Sequence, residues 1–144
     1  MKSMEYNVII IGSGPAGLTA ALYAARANLK PLLFAGQTWG GQLMLTSDVE
    51  NYPGFPKGIM GPELMQTMRD QAVRFGTTVI DNDVTKVDFF GLPHQVWIGE
   101  KQYSAKAIII ATGASSIWLG LDSETRLRGK GVSQCAHCDG YFFR

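Results

Sequence analysis

Asn7-Val8-Ile9-Ile10-Ile11-Gly12-Ser13-Gly14-Pro15-Ala16-Gly17 is the stretch that decides the fold. Its first half is a continuous apolar, β-branched run, the composition of a strand buried on both faces in a parallel sheet. Its second half is a G-x-G-x-x-G that ends the strand and opens a helix. In that pattern the first glycine makes the turn, the second lets backbone approach a pyrophosphate, and the third lets the helix pack on the strand. The phosphates sit on free N–H groups at the positive end of the helix. Pro15 suits the first helical turn, where its missing N–H costs nothing, and alanine and leucine fill the helix towards Asn28. The pattern serves flavin and nicotinamide dinucleotides alike and by itself names neither.

Outward from this unit, Pro31-Leu32-Leu33-Phe34 is a second short buried strand, completing strand, helix and strand at the start of a doubly wound sheet. Residues 35–61 form a long irregular stretch rich in Gly and Pro, and loops of this length are usually functional. Gly61-Pro62-Glu63 opens a second helix with Met65, Met68, Ala72 and Phe75 on one face and Gly76 as its stop. A parallel strand is expected over 77–80. A three-stranded antiparallel meander is expected over 84–89, 95–98 and 102–104, with turns at Gly91-Leu92-Pro93 and Gly99-Glu100. Residues 107–111 return as a buried strand ending in Thr112-Gly113, and 114–132 read as a polar linker. The expected class is α/β, a Rossmann-like domain with a parallel sheet, crossover helices and a small antiparallel meander.

The chain has 144 residues, 13 Lys and Arg against 12 Asp and Glu, a net charge of +1, 46% hydrophobic residues and 17% charged ones. That length fits one domain with a sizeable core. The balance supplies no basic face for nucleic acid or an anionic membrane. The apolar runs at 8–11 and 107–111 fall far short of the ~20 residues of a membrane span. The opening residues 1–7 carry no apolar export segment and no cleavage site. The expectation is a soluble, cytoplasmic protein.

Cys135-Ala136-His137-Cys138 contains both cysteines of the chain. As a staple, a loop this short contributes only about 2 kcal/mol in the chain-entropy account. Zinc needs two further ligands, and His94 and His137, the only histidines, have no knuckle spacing, so no metal site is expected. Redox chemistry is the stronger reading of the pair. Asp139 follows directly, as a proton carrier or as a cap or turn residue. One nucleotide-binding element is missing: the acid that ends the second strand and holds a ribose hydroxyl should fall near Ala35, but Phe34-Ala35-Gly36 has no carboxylate. Backbone and loop groups, with Gly40-Gly41-Gln42-Leu43 at hand, are expected to take its place.

Gly12-Ser13-Gly14-Pro15-Ala16-Gly17, Tyr23-Ala24-Ala25-Arg26-Ala27, Gly40-Gly41-Gln42-Leu43, Glu50-Asn51-Tyr52-Pro53-Gly54, Ile110-Ala111-Thr112-Gly113-Ala114 and Cys135-Ala136-His137-Cys138-Asp139-Gly140 occur in this order. The ordered set closely resembles the low-molecular-weight thioredoxin reductases over almost the whole chain. The resemblance implies two Rossmann-like domains, one for FAD and an inserted one for NADPH, in a homodimer. It implies electron flow from NADPH to FAD, to the C-x-x-C disulfide and on to thioredoxin. Under it Gly12, Ser13, Gly14, Pro15, Ala16 and Gly17 hold the FAD pyrophosphate, and Ala35, Gly36, Gly40, Gly41, Gln42 and Asn51 line the cofactor. Val84 lies near the adenine, and Thr112 and Gly113 lie beside the loop that closes the flavin domain. Cys135 and Cys138 are the redox pair, and Asp139 is the acid that assists transfer between thiol and flavin.

The resemblance further implies that residues 1–114 are the N-terminal part of the FAD domain, and 115–144 a linker and the start of the NADPH domain. The second glycine fingerprint, the basic residues that read the NADPH phosphate and the segment closing the FAD site are not among the 144 residues. Arg126, Arg128, Lys130 and Arg144 sit in no strand, glycine loop and helix unit. These residues alone are therefore expected to be marginally folded, to hold FAD weakly or not at all, and to leave NADPH unoxidised. Two other readings compete: a sister flavoprotein such as the flavoprotein subunit of alkyl hydroperoxide reductase, and a non-catalytic FAD-binding module. The former typically carries thioredoxin-like modules ahead of the flavin domain, for which a fingerprint beginning at Gly12 leaves no room.

Overall fold

The structure, a computed structural model, describes residues 4–143; the first residues read for an export segment and Arg144 lie outside the described residues. The chain divides into two compact units, Met1–Gly113 and Ala114–Arg144. In the first, β1 (Met4–Ile11), α1 (Pro15–Arg26) and β2 (Leu32–Phe34) form the expected strand, helix and strand. A 3₁₀ turn (Gly41–Leu45) and a small antiparallel pair, β3 (Asp48–Val49) and β4 (Ile59–Met60), give order to the glycine-rich stretch read as irregular. Then follow α2 (Gly61–Arg74), β5 (Thr78–Ile80), β6 (Lys86–Asp88), β7 (His94–Ile98) and β8 (Lys101–Ile110).

The main sheet has the order β5-β2-β1-β8-β7-β6. Its β5, β2, β1 and β8 pair in parallel, and β8, β7 and β6 pair antiparallel. The side chains of β1 alternate between two cores, as a period of two requires. Val8 and Ile10 join Leu33 and are covered by Leu18 and Ala21 of α1 and by Met65 and Ala72 of α2. Ile9 faces the other way, with Leu32, Phe34, Val96, Tyr103 and Ala105. Ile9 and Ile10 are fully buried, and each such side chain contributes roughly 1.5–3 kcal/mol of burial. Neighbouring β1 residues thus feed opposite faces, which explains why the run carries no polar alternation.

Three expectations change, the first being burial: residues 107–111, read as a buried strand, leave Ile109 38% and Ile110 62% exposed. The last meander strand and the returning parallel strand are one ten-residue strand, β8. Ala105-Lys106 holds no breaker, so the strand, which over 103–105 has antiparallel β7 on one edge and parallel β1 on the other, runs on beside β1 alone, Val8 opposite Ala107. The stretch read as linker contains α3 (Asp122–Leu127). Within this second unit the Arg128 guanidinium stacks 5.0 Å from the Trp118 ring centre. Next come α4 (Ala136–Asp139) and a 3₁₀ turn (Gly140–Phe143). Among the described residues no helix is long and apolar enough to cross a membrane.

Helix α3 is short and depends on its N-terminal cap. The Glu124 carboxylate accepts N–H bonds from Leu121 at 3.0 Å, Leu119 at 3.1 Å and Gly120 at 2.8 Å. These bonds, Leu121's first, hold the Glu124 carboxyl below the usual glutamate range against the opposing effect of desolvation. A lowered native pKa contributes stability that is complete above the ordinary glutamate value and lost as pH falls through the lower native one. Across that acidic window the Gly120 and Leu121 amide resonances should shift together and their exchange protection fall, and Glu124→Gln should remove the pH response. Gly120 and Leu121 amides that stay unchanged throughout an NMR pH titration would refute this cap.

Candidate functional site

The three fingerprint glycines divide by what surrounds them. Gly12 has a φ of +106° and donates its N–H to the Phe34 carbonyl at 2.9 Å. A Cβ there would overlap the Ala111 carbonyl at the end of β8, and a Cβ at Gly17 would overlap the Gly12 carbonyl. Both glycines are required by the protein's own packing. Around a Cβ built at Gly14, by contrast, nothing lies within 4 Å. The glycine that the fold itself does not require is the one whose bare backbone is needed by an approaching pyrophosphate. Helix α1 begins with Pro15 after Gly14, without a side-chain cap and without an acid in its first turn. Its first backbone bond runs from Leu18 N–H to the Gly14 carbonyl at 3.0 Å. The N–H groups of Ala16 and Gly17 precede that bond and face the positive end of the helix. The residues present fit a dinucleotide pyrophosphate.

Ser13 ties the rest of the site to this loop. Buried, its hydroxyl donates to the Ala35 carbonyl at 2.7 Å and accepts the Gly40 N–H at 2.9 Å. A Cβ at Gly41 would come 3.4 Å from the Gly14 Cα. Ala35, Gly40 and Gly41 therefore converge on the fingerprint, and Thr112, with Gly113 next in chain, reaches Gly12 from the end of β8. Ser13 thus serves chiefly as a bridge between protein segments, a role its place in the fingerprint did not reveal. Trp39 packs with Leu43 and Met44 on the core under α1 and α2. The Arg69 guanidinium lies 4.6 Å from the Trp39 ring centre and pairs with Asp81 at 2.7 Å.

Other sequence candidates are placed less centrally. Gln42 lies exposed on the 3₁₀ turn. Val84 packs into the cluster of Phe34 and Ile80. Asn51 belongs to the loop between β3 and β4, where residues 50–56 line a concavity of their own.

In the second unit Cys135 and Cys138 form a disulfide, with Cα atoms 5.3 Å apart. Cys135 caps α4, its sulfur accepting the Cys138 N–H at 3.2 Å. The Ser133 hydroxyl accepts the Cys135 N–H at 3.0 Å and donates to the Asp139 carboxylate at 2.5 Å. One hydroxyl thus links the backbone of the first cysteine to the acid beyond the second. A serine two residues before a helix cap is the available sequence signal, since such hydroxyls bond nearby backbone. Cys138 is exposed and Cys135 and Asp139 are half-buried, so the disulfide is open to attack by a thiolate. Among the described residues no group of three His, Cys, Asp or Glu could hold a metal ion.

Residues 6–144 match the pyridine nucleotide-disulphide oxidoreductase family. The chain is 55% identical over 139 residues to a thioredoxin reductase of Mycolicibacterium smegmatis, covering 96% of this chain and 45% of that protein. It is 53% identical over 138 residues to a glucosaminate ammonia-lyase of Pseudomonas fluorescens, covering 96% of this chain and 43% of that protein. Among solved structures it resembles the thioredoxin reductase of Streptococcus pyogenes, with a TM-score of 0.89 and 45% identity over 99% of this chain and 46% of the other. The chain spans less than half the length of the relatives it matches.

The Ser13 bridge can be tested without a ligand. Ser13→Ala leaves the Ala35 carbonyl and the Gly40 N–H without their partner, and an unsatisfied buried polar group costs about 1–3 kcal/mol. Urea unfolding should show a loss in that range. A change within about 0.5 kcal/mol, typical of an unimportant surface position, would show that the loop is held by other contacts.

Proposed function

The chain belongs to the pyridine nucleotide-disulphide oxidoreductase family, and from that membership we propose that it forms the front half of a thioredoxin-disulfide reductase. In this reading electrons pass from NADPH through FAD and the Cys135–Cys138 disulfide to thioredoxin. The observation that carries it is the accessible disulfide with Asp139 held beside it by Ser133, in a chain whose other unit presents an uncapped helix end and open space at Gly14. Residues 1–114 are the FAD-binding part, and 115–144 lead into the NADPH domain. A cytoplasmic homodimer completes the proposal.

The residues take the following roles. Gly12, Ser13, Gly14, Pro15, Ala16 and Gly17 hold the pyrophosphate, using the backbone N–H groups that α1 leaves free. Ala35, Gly36, Gly40, Gly41, Gln42, Asn51, Val84, Thr112 and Gly113 line the remainder. FAD, when bound, supplies a two-electron relay between the nicotinamide and the disulfide. Reducing the disulfide breaks one S–S bond with two electrons and forms two thiols with two protons. Asp139 is placed to hold one of those protons, and Ser133 keeps its carboxylate in position. The thiol formed at Cys135 keeps the Cys138 N–H within reach, and such a contact favours the thiolate that attacks a partner disulfide.

Two sets of variants of the full-length protein carrying this chain test the reading. Gly14→Val should fold, because its Cβ meets no atom within 4 Å, but should be purified without flavin. A yellow Gly14→Val protein with normal flavin content would remove the fingerprint from the cofactor site. Cys135→Ser and Cys138→Ser should each keep flavin absorbance while NADPH-dependent reduction of thioredoxin falls to background. Turnover near the unmodified level in either variant would place the chemistry elsewhere.

A further inference from the structure

We propose that Asp83 receives the hydroxyls of the adenosine ribose, taking over from the third parallel strand the task for which the second strand carries no acid. The inference rests on the proposal above that FAD occupies this site. Strand β2 ends at Phe34, and Ala35 after it is apolar and buried. Ala35 donates its N–H to the Ile80 carbonyl at 2.9 Å, so the ends of β2 and β5 lie side by side. Three residues beyond β5 the chain brings Asp83 back over this junction. Its Oδ1 accepts the Gln37 N–H at 3.0 Å and lies 3.1 Å from the position a Cβ would occupy at Gly36. A side chain at position 36 would therefore need the space that the Asp83 carboxylate fills. The acid is present at the end of the second strand, supplied by a different segment.

Continuity with the pyrophosphate loop supports the assignment. Ser13 of the fingerprint holds the Ala35 carbonyl, and Asp83 holds the N–H two residues further on. Asp81, the other carboxylate near this edge, is engaged by Arg69 at 2.7 Å. Asp83 is exposed, and among the described residues its second oxygen has no hydrogen-bond partner. A carboxylate accepts without donating, so it pairs with ribose hydroxyls and opposes a phosphate on the same ribose. Asp83 is thus a specificity residue for an adenosine end without a 2′-phosphate.

The experiment compares FAD with its 2′,3′-dideoxyadenosine analogue in flavin-free preparations of the full-length protein, using quenching of flavin fluorescence to measure affinity. The unmodified protein should bind FAD about tenfold or more tightly than the analogue, the scale of a hydrogen bond to a charged group. Asp83→Asn keeps an acceptor for the Gln37 N–H but loses the charge, and it should bind the two ligands within about threefold of each other. Asp83→Ala should do the same at lower affinity for both. A residue that only shaped the turn would weaken both ligands equally and leave the preference intact, and that result would overturn the proposal. Equal binding of the two ligands by the unmodified protein would overturn it as well, with FAD binding itself upheld. Failure of the unmodified protein to bind FAD at all would overturn the cofactor reading and this inference together.

Discussion

Two missing side chains bring three backbone segments within touching distance, and the remainder of the first unit is arranged around that approach. With hydrogen in place of Cβ at Gly12, the end of β1 reaches the Ala111 carbonyl at the end of β8. With hydrogen at Gly17, the first turn of α1 rests on the Gly12 carbonyl. Any larger residue at either position must push α1 or β8 away, and both are tied into the sheet or the core beneath it. The N-terminus of α1 is therefore fixed at the C-terminal edge of the parallel strands, where open α/β sheets take their ligands. The same constraint leaves Gly14 without a packing role, because the turn around it is already determined.

A long glycine-rich loop beside this edge would lose about 1–2 kcal/mol of backbone entropy for every residue it orders. Contacts at its beginning offset that cost. Ser13 clamps Ala35 and Gly40 through one hydroxyl. Trp39 packs, half-buried, against the core and is covered by Arg69. The Arg69–Asp81 pair is partly exposed, and pairs of that kind contribute little by themselves. Its importance here is that it keeps the guanidinium over the Trp39 ring and joins α2 to the segment after β5. The loop is thus held by one buried hydroxyl and one aromatic ring, with Gly40 packed close against Met44 and Gly41 beside the bare backbone of Gly14.

Much of this was legible in the residues because the deciding signals are local. The β-branched run ending at Gly12 and the Pro15 helix start needed no distant information, and β1, α1 and β2 lie within a few residues of their expected bounds. The length of β8 was not legible, since a strand paired on both edges leaves no mark where one of its partners ends. Helix α3 was hidden in polar sequence because its stability comes from Glu124 reaching back to three N–H groups, with no apolar stripe to reveal it. At the site, Gly12, Gly14 and Gly17 were readable as a motif, whereas the bridging of Ser13 and the arrival of Asp83 depend on pairings 22 and 46 residues apart. A missing carboxylate after Phe34 could be seen in the sequence; the arrival there of Asp83 from the segment beyond β5 could not.

Fold and fingerprint do not by themselves choose a reaction, because one sheet and one phosphate loop serve many chemistries. Relatives of nearly equal identity across this half carry different names, so the choice must come from groups able to take part in the transfer. The short second unit supplies them in the span from Ser133 to Asp139. A helical turn of four residues is too short to be stable in isolation, and here it is closed by the very disulfide that the proposed reaction opens. Ser133 bonds both the Cys135 N–H and the Asp139 carboxylate, and neither contact involves the S–S bond. In this disulfide form the hydroxyl joins the cap of α4 to its last residue. The position proposed for Asp139 therefore does not rest on the S–S bond staying closed.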